Sequence, residues 1–492
     1  MPSAEEALVH HRRCVAGHPT DREVGREPRC HDTLVRGFPD RRSGRSAERF
    51  RPCVGSSAVA RVVVVGGGLG GLASAARLAK LGHEVTLLER RDRLGGALGT
   101  EERDGFRWDT GPTWTALPAV LRDLFRKSGR PLERVLDLVP VQPLREHRFA
   151  DGTVLALPAG GRGTQYDAVE DALGPGAGKR WVAYTDSFEE TWDVLRRGYL
   201  EHPYRPEHAD RQTRAVLAGR ASLRRLVRRA LSDERLRQVA LTPVMLDGQR
   251  PRDVPGWVGV LCYVEQCFGA WTIPGGLGLL ADALTRRLAE RGVTVRLGTP
   301  ARDLVLREGR PAGVATDEGT VPADLVVCAV DPRRLPALAG HVQRTMPALP
   351  PRIAHLGLEG DLPDLPHEVV LHGEPTLVVR PGGTAPPGGQ AWTVLVRGKL
   401  QEDLLVALAR RGIDVRDQVR VRVDRSPGEL AETWGGSPYG VLWQGRGTVR
   451  HRLGTTTPLP GVYCAGAHVG GGSGIPFVGL SAAQVAEEIG KA

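Results

Sequence analysis

The sequence predicts an α/β protein: a parallel, Rossmann-like nucleotide-binding sheet built from discontinuous segments, with an α+β domain interleaved between them. Three observations predict it. A β-branched run, Val62–Val65, leads into the glycine-rich GGGLGGL and then into a helical apolar pattern. A second β-α-β pattern returns after residue 276, and a final strand and helix close the chain.

Taken in order, residues 1–58 are rich in Arg, lack Lys, carry Cys14, Cys30 and Cys53 and show no apolar periodicity, so they are expected to be a disordered leader outside the working protein. Val54 and Val59 are alternative starts. From Arg61 the pattern is β-α-β. Four consecutive Val are what a strand buried on both faces of a parallel sheet requires. Leu72, Ala75, Ala76 and Ala79 recur at helical spacing over Gly70–Leu81 and stop at Gly82, and Val85–Leu88 forms the second strand, ending on Glu89. The stretch from about Pro140 to Gly276 reads as mostly helical. After it come a helix over Leu279–Arg291, strands at Val293–Leu297, Ala301–Leu306 and Leu325–Val330, a last strand at Gly461–Ala465 and a last helix at Leu480–Ile489. The expected domains are therefore a nucleotide domain of 59–140, 277–335 and 437–492, and a substrate or cap domain of 141–276 and 336–436.

Composition bounds the function. A chain of 492 residues, 41% hydrophobic and 25% charged, has ample material for a buried cofactor. The net charge of +10 comes from Arg scattered along the whole chain rather than from a patch, which argues against nucleic acid. None of the seven Cys forms a CxxC pair, so neither a disulfide framework nor a metal site is indicated; Cys262 and Cys267 read as reduced thiols. No apolar run approaches the roughly 20 residues of a membrane span and the N-terminus lacks a signal-peptide layout, so a cytoplasmic location is expected.

The chemistry begins at the glycines. Gly66 permits a tight turn, Gly68 lets a pyrophosphate approach the backbone, and Gly71 lets the helix pack on the strand. The whole loop, with Gly67, Leu69 and Gly70, is the candidate phosphate cradle, and the helix N-terminus adds free N–H groups. Glu89 stands about twenty residues on, where an acid hydrogen-bonds a ribose hydroxyl. This much fits NAD and FAD equally.

The next segment separates the two. ERRDRLGGALGT continues into GFRWDTGPTW, and the spacing of Glu89, Gly95–Gly96 and Asp109–Gly111–Pro112 resembles the flavin-dependent amine oxidase and phytoene desaturase superfamily. The resemblance implies non-covalent FAD, with Glu89, Arg90 or Arg91, Gly95 and Gly96 along the adenosine and pyrophosphate and Gly111, Pro112 and Thr113 near the flavin. Ala97 stands where many members have Arg, so one charged pyrophosphate contact is absent. The C-terminal GVYCAGAHVGGGSGIPFVGLSAAQ is similar to the segment with which carotenoid desaturases close the flavin site, implying that Gly466, Ala467, Gly474, Ile475, Pro476 and Val478 lie beside the cofactor. By the same resemblance Ala301 offers a backbone contact to adenine and Ala329 lies near the cofactor. Gly470 and Gly471 occupy the places of a frequent His-Pro. His468 is nearby but not equivalent, and a solvent-exposed loop histidine is at least as good a reading of it.

The resemblance covers nearly all the chain from Arg61 and implies desaturation of a long apolar polyene of the phytoene type, with quinone or oxygen as electron acceptor. A second GxGxxG after a strand, as a two-nucleotide reductase would need, is not found: Gly275, Gly276 and Gly278 form a turn before a helix. An amine oxidase, a carotenoid isomerase, saturase or oxygenase, and a flavin-free lipid chaperone of the GDP-dissociation-inhibitor type remain alternatives. An amine site would need an aromatic cage, which 5% aromatic residues disfavours. Trp257, Tyr263, Phe268 and Trp271 are candidates for a substrate tunnel or for core. Leu223, Leu226, Val227, Ala230 and Leu231 share one helical face and Arg224, Arg225, Arg228 and Arg229 the other; such a helix either lies on an anionic membrane surface or packs inward with a solvated Arg face. The first alternative is the basis for expecting peripheral membrane contact at the inner face of the membrane.

Overall fold

Five strands form the parallel nucleotide-binding sheet in the computed structural model, which describes residues 59–492. The leader expected over residues 1–58 lies outside the described residues. The strands are β1 (Arg61–Val65), β2 (Glu84–Leu88), β3 (Thr294–Arg296), β4 (Leu325–Cys328) and β5 (Val462–Cys464), in the order β5-β4-β1-β2-β3. Successive residues of β1 serve opposite cores, as the period of two in a strand dictates. Val62 and Val64 pack with helices α1 (Leu69–Lys80), α2 (Gly278–Glu290) and α3 (Ile475–Ile489). Val63 and Val65 pack with Leu304, Val314 and Val321 of a three-stranded antiparallel meander over residues 301–322. All four Val are at most 4% exposed, so each contributes about 1.5–3 kcal/mol of apolar burial. The chain order reverses beside β1, and the carboxyl ends of strands at such a reversal are where open α/β sheets bind ligands.

The second sheet has seven strands, in the order Val419–Arg425, Arg352–Glu359, Gly389–Arg397, Thr376–Pro381, Val369–Leu371, Arg145–Arg148 and Val154–Leu157. All pairs are antiparallel except Val369–Leu371 with Arg145–Arg148. The segment after Pro140 therefore opens with a hairpin before its helices begin at Arg162, a correction to the mostly helical expectation. The alternation is real but polar: Arg145 and His147 point inward while Glu146 and Arg148 are half-buried, so hydrophobicity carries no trace of it.

Two other elements differ from expectation. Helix α3 starts at Ile475, five residues before Leu480, because Pro476 in the first turn needs no N–H partner and Gly474, at φ +98°, turns the chain into the helix. The helix Leu223–Ala230 packs inward: Leu223, Val227 and the following Leu231 are at most 1% exposed, whereas all four Arg are exposed. Insertion of this face into a bilayer is not supported, because Leu223, Val227 and Leu231 are already buried in the protein. Among the described residues no helix is long and apolar enough to cross a membrane.

Candidate active site

The glycine loop is built by backbone packing against backbone. Gly66 donates to the Leu88 carbonyl at 2.8 Å and holds φ +103°, a conformation that favours glycine. A Cβ on Gly71 would lie 1.8 Å from the Gly66 carbonyl oxygen, which fixes how closely α1 approaches the end of β1. The paired glycines close the loop from the other side: Gly95 N–H donates to Gly67 O at 2.8 Å, and a Cβ on Gly96 would meet Gly68 Cα at 2.9 Å. Gly68 differs from all of these. It is extended, it precedes α1 with no side-chain cap, and a Cβ built on it would find its nearest neighbour, Gly96 Cα, 4.0 Å away. The space beside Gly68 is thus open in the protein alone, in front of the uncapped N–H groups of α1. A pyrophosphate fits those donors and that space.

Glu89 is 8% exposed, and its carboxylate accepts from Gly67 N–H at 2.7 Å and from Arg91 N–H at 2.9 Å. The acid expected to meet a ribose is held rigidly by the loop, and each oxygen keeps a lone pair free. The sequence leaves Arg90 and Arg91 undivided as candidates. Arg91 lines the cavity, whereas Arg90 turns away to donate to the carbonyls of Glu432 and Thr433.

The cavity, about 410 Å³, runs from this loop to the N-terminus of α3 and on beneath the second domain, a size within the ~300–1,000 Å³ of ligand sites. Gly66, Gly67, Gly68, Leu69, Gly70, Glu89, Gly95, Gly96, Ala97, Gly111, Pro112, Thr113, Ala329, Gly466, Ala467, Gly474, Ile475, Pro476 and Val478 all line it. Besides Arg90, two expected residues do not. Gly71 is spent on the helix–strand approach, and Ala301 sits in the meander, away from the cavity wall. The adenine contact expected from Ala301 is therefore not supported. Helix α3, like α1, has no side-chain cap, so two helix N-termini with their positive dipole ends face one cavity. A Cβ on Gly70 would lie 3.0 Å from Gly466 Cα, so the first turn of α1 packs directly on the backbone that follows β5.

Asp109 has a different task from the rest of its DTGPT motif. Its carboxylate accepts from Leu277 N–H at 2.7 Å and Gly278 N–H at 2.9 Å, so it ties the motif to the start of α2. Burial pushes its pKa up, against those two hydrogen bonds. His468 is 8% exposed and lines the cavity, so the solvent-exposed reading is wrong; its Nδ1 lies 3.8 Å from Asp331 Oδ1, beyond hydrogen-bonding distance. The loop Thr433–Tyr439 also lines the cavity. Its GGSP turn was the only available signal, and turns of that composition are too common to be read as a site.

Beyond α3 the wall becomes apolar: Leu195, Leu200, Val244, Val258, Leu261 and Val264. Of the four tunnel candidates only Trp257 lines the cavity; Tyr263, Phe268 and Trp271 do not. Aromatic residues are nevertheless concentrated here, since Trp192, Tyr199, Trp434, Trp443 and Phe477 join Trp257. The low overall aromatic content is no guide to their local density, which removes the compositional argument against an aromatic cage.

Buried polar groups interrupt this wall. Arg145 pairs with Glu368 and, at 3.2 Å, with Glu265; Arg380 completes the cluster at 2.6 Å from Glu368. Burial works against ionisation of Glu368, but Arg380 and Arg145 outweigh it and hold its pKa down to about 2. Asp247 accepts from Ser473 Oγ at 2.9 Å, and burial pushes its pKa up, opposed by Ser473 and, more weakly, by Arg397, Arg380 and Arg145. Arg452 lies 8% exposed over the ring of Trp443, 4.7 Å from its centre. Among the described residues no cysteine lines the cavity; Cys262, Cys328 and Cys464 are buried free thiols, and Cys267 is half-buried.

Comparison with known proteins agrees with this geometry. Residues 69–359 match the family described as flavin containing amine oxidoreductase, and residues 30–105 match pyridine nucleotide-disulphide oxidoreductase, which shares the nucleotide-binding half. Hydroxyneurosporene desaturase of Cereibacter sphaeroides is 31% identical, over 88% of this chain and 97% of its own. 4,4'-Diapolycopene oxygenase of Methylomonas sp is 26% identical, over 87% and 98%. The phytoene dehydrogenase of Streptomyces griseus is 32% identical over 64% of each chain. Among solved structures, putrescine oxidase superposes with a TM-score of 0.63 at 18% identity, covering 88% of this chain and 99% of that one, a likeness of fold. The nucleotide sheet, the open cradle and these matches together show that the chain belongs to the flavin-containing amine oxidoreductase family, on its carotenoid-desaturase-like side, and is an FAD-dependent oxidoreductase holding its cofactor non-covalently.

Proposed function

We propose that this protein desaturates a long apolar polyene of the carotenoid type, removing a hydride and a proton from adjacent carbons. The observation that carries the reading is the cavity: it continues without a break from the two helix N-termini into a wall of Leu and Val. When bound, FAD supplies a ring that accepts the hydride, and quinone or oxygen is the final acceptor. The chain's own part is to hold, dry and orient the substrate. The branched walls exclude water and fix which carbons face the cofactor end. Asp247 is the proton acceptor: it lines the cavity, Ser473 orients it from the loop before α3, and its raised pKa brings it nearer the operating pH, where a general base is most effective.

The names of the relatives support this substrate class. An amine substrate fits less well, because Arg452 already covers the face of Trp443 with a cation and repels an incoming ammonium. Oxygenation of a similar chain is a second reading, favoured by the full-length similarity to 4,4'-diapolycopene oxygenase. The polyene is met at a membrane surface, where the exposed Arg224, Arg225, Arg228 and Arg229 attract anionic lipid with no apolar insertion. To test the function, anaerobic holoprotein is mixed with phytoene in vesicles while flavin absorbance is followed and the pigments are analysed. Bleaching with a more unsaturated product is expected. Rapid bleaching by a soluble amine and none by the polyene would refute the proposal.

A further inference from the structure

The far corner of the cavity contains hydrogen-bond donors that a hydrocarbon cannot satisfy. Arg452 is 8% exposed, and among the described residues no carboxylate pairs with it. Its Nη1 donates at 3.5 Å to Val469 O, its guanidinium lies over Trp443, and its Nε is buried without an acceptor. The Nε edge is one side of the fork with which an Arg grips a carboxylate. Trp257, whose ring meets Trp443 edge-on at 5.3 Å, also has its Nε1 buried with no acceptor. Tyr199 borders both, its ring 6.3 Å from that of Trp257. All four residues line the cavity.

A guanidinium remains charged when buried, so it needs either water or an anion. Neither Arg452 Nε nor Trp257 Nε1 is reached by water, and a hydrocarbon filling the corner would bring no acceptor to either. Two other cations of the cavity do not share this problem: Arg145 and Arg380 are matched by Glu265 and Glu368. Arg452 Nε and Trp257 Nε1 are thus two unmatched donors joined through the Trp443 ring.

We propose that the corner formed by Tyr199, Trp257, Trp443 and Arg452 binds a carboxylate at the end of a long apolar substrate, with Arg452 as the carboxylate-binding residue. This deepens the polyene reading and rests on it: the substrate is an oxidised, acid-terminated chain rather than a pure hydrocarbon. The reaction that supplies it must therefore be one that oxidises a chain terminus.

The test measures binding to the holoprotein of retinoic acid, its methyl ester and phytoene in detergent, read as perturbation of the flavin spectrum. The acid is expected to bind at least about tenfold tighter than the ester. Arg452→Met should erase that preference, Arg452→Lys should retain part of it, and both should keep full flavin occupancy. Equal affinity of acid and ester for the unsubstituted protein would overturn the proposal, as would a preference that survives Arg452→Met. Flavin-free protein from both variants would also overturn it, since Arg452 would then serve the cofactor. If Arg452→Met does not fold, Trp257→Phe, which removes one N–H and keeps a ring, should reduce the preference several-fold, and no reduction counts against the corner. Binding of none of the three probes would instead sink the polyene reading itself, which keeps the two failures distinct.

Discussion

Replacing Gly68 and Gly71 one at a time separates the cofactor cradle from the fold. At Gly68 a methyl group has no neighbour closer than 4.0 Å and the backbone is extended, so Gly68→Ala introduces no clash in the cofactor-free protein. Two small effects oppose each other there. Losing glycine's freedom in the unfolded chain stabilises by about 0.4–1 kcal/mol, and Ala is a poorer helix N-cap than Gly by up to about 1 kcal/mol. The melting midpoint of apoprotein should thus scarcely move. At Gly71 the added carbon lies 1.8 Å from Gly66 O, about 1.5 Å inside ordinary contact, so α1 must retreat from β1. Overpacking of this kind costs about 1–3 kcal/mol or more, and the apoprotein should melt measurably lower. FAD occupancy is expected to show the reverse order, because we place the pyrophosphate in the open space beside Gly68: Gly68→Ala should weaken FAD at least about tenfold, or 1.4 kcal/mol, and Gly68→Val should abolish binding. Absorbance ratios of purified protein and melts after flavin removal give both quantities. Full flavin occupancy in Gly68→Val would refute the placement of the phosphates, and an apoprotein of Gly68→Ala as unstable as that of Gly71→Ala would refute the division of roles.

Four further outcomes are expected. Asp247→Asn should slow flavin reduction by polyene about 10²-fold or more and remove the acid limb of its pH profile, which in the unsubstituted protein rises with pH as the elevated carboxyl ionises; an unchanged profile would exclude Asp247 as the base. Burial, then the nearby Arg425 and Arg145 respectively, presses His355 and His372 down to about 4. The unfolded chain takes up protons near 6.5 that the folded chain refuses, so the stability they contribute is whole above about pH 6.5 and is lost as pH falls toward 4. His355→Asn and His372→Asn should flatten the fall of the melting midpoint over that window, and an equally steep fall in both would show that other groups govern it. Acid precipitation should release all the flavin into the supernatant, since among the described residues no cysteine lines the cavity, and flavin retained on the chain would contradict this and point to His468. Exchanging Arg224, Arg225, Arg228 and Arg229 for Gln should lower sedimentation with anionic vesicles, an attraction that salt should also weaken, while leaving the melting midpoint near that of the parent; undiminished sedimentation would take this face out of membrane contact.

Most of the nucleotide fold was legible in the sequence because its constraints are local. A run of four Val admits only a strand buried on both faces, and glycines at positions 66, 68 and 71 follow from contacts within a single strand–loop–helix. Even Glu89 sits at the end of a strand whose length places it beside Gly67. The same locality made the GIP motif legible, although α3 began earlier than its apolar pattern suggested, since a helix start is governed by Gly474 and Pro476 rather than by periodicity.

The chamber was decided by tertiary structure, for a physical reason. Arg145 meets Glu265 and Glu368 across 120 and 223 residues, and Asp247 meets Ser473 across 226; no local spacing encodes such pairs. The hairpin around Arg145 stayed hidden because its inward residues are Arg and His, whose burial is made possible by partners on distant strands. The helix at Leu223 presents the same pattern whether its apolar face meets lipid or protein, and only the packing of Leu223, Val227 and Leu231 chose between them. Sequence alone thus determines the strand–loop–helix of the nucleotide fold. What else the cavity holds depends on charges such as Arg452, whose significance lies in a buried Nε without an acceptor, which only three dimensions can show.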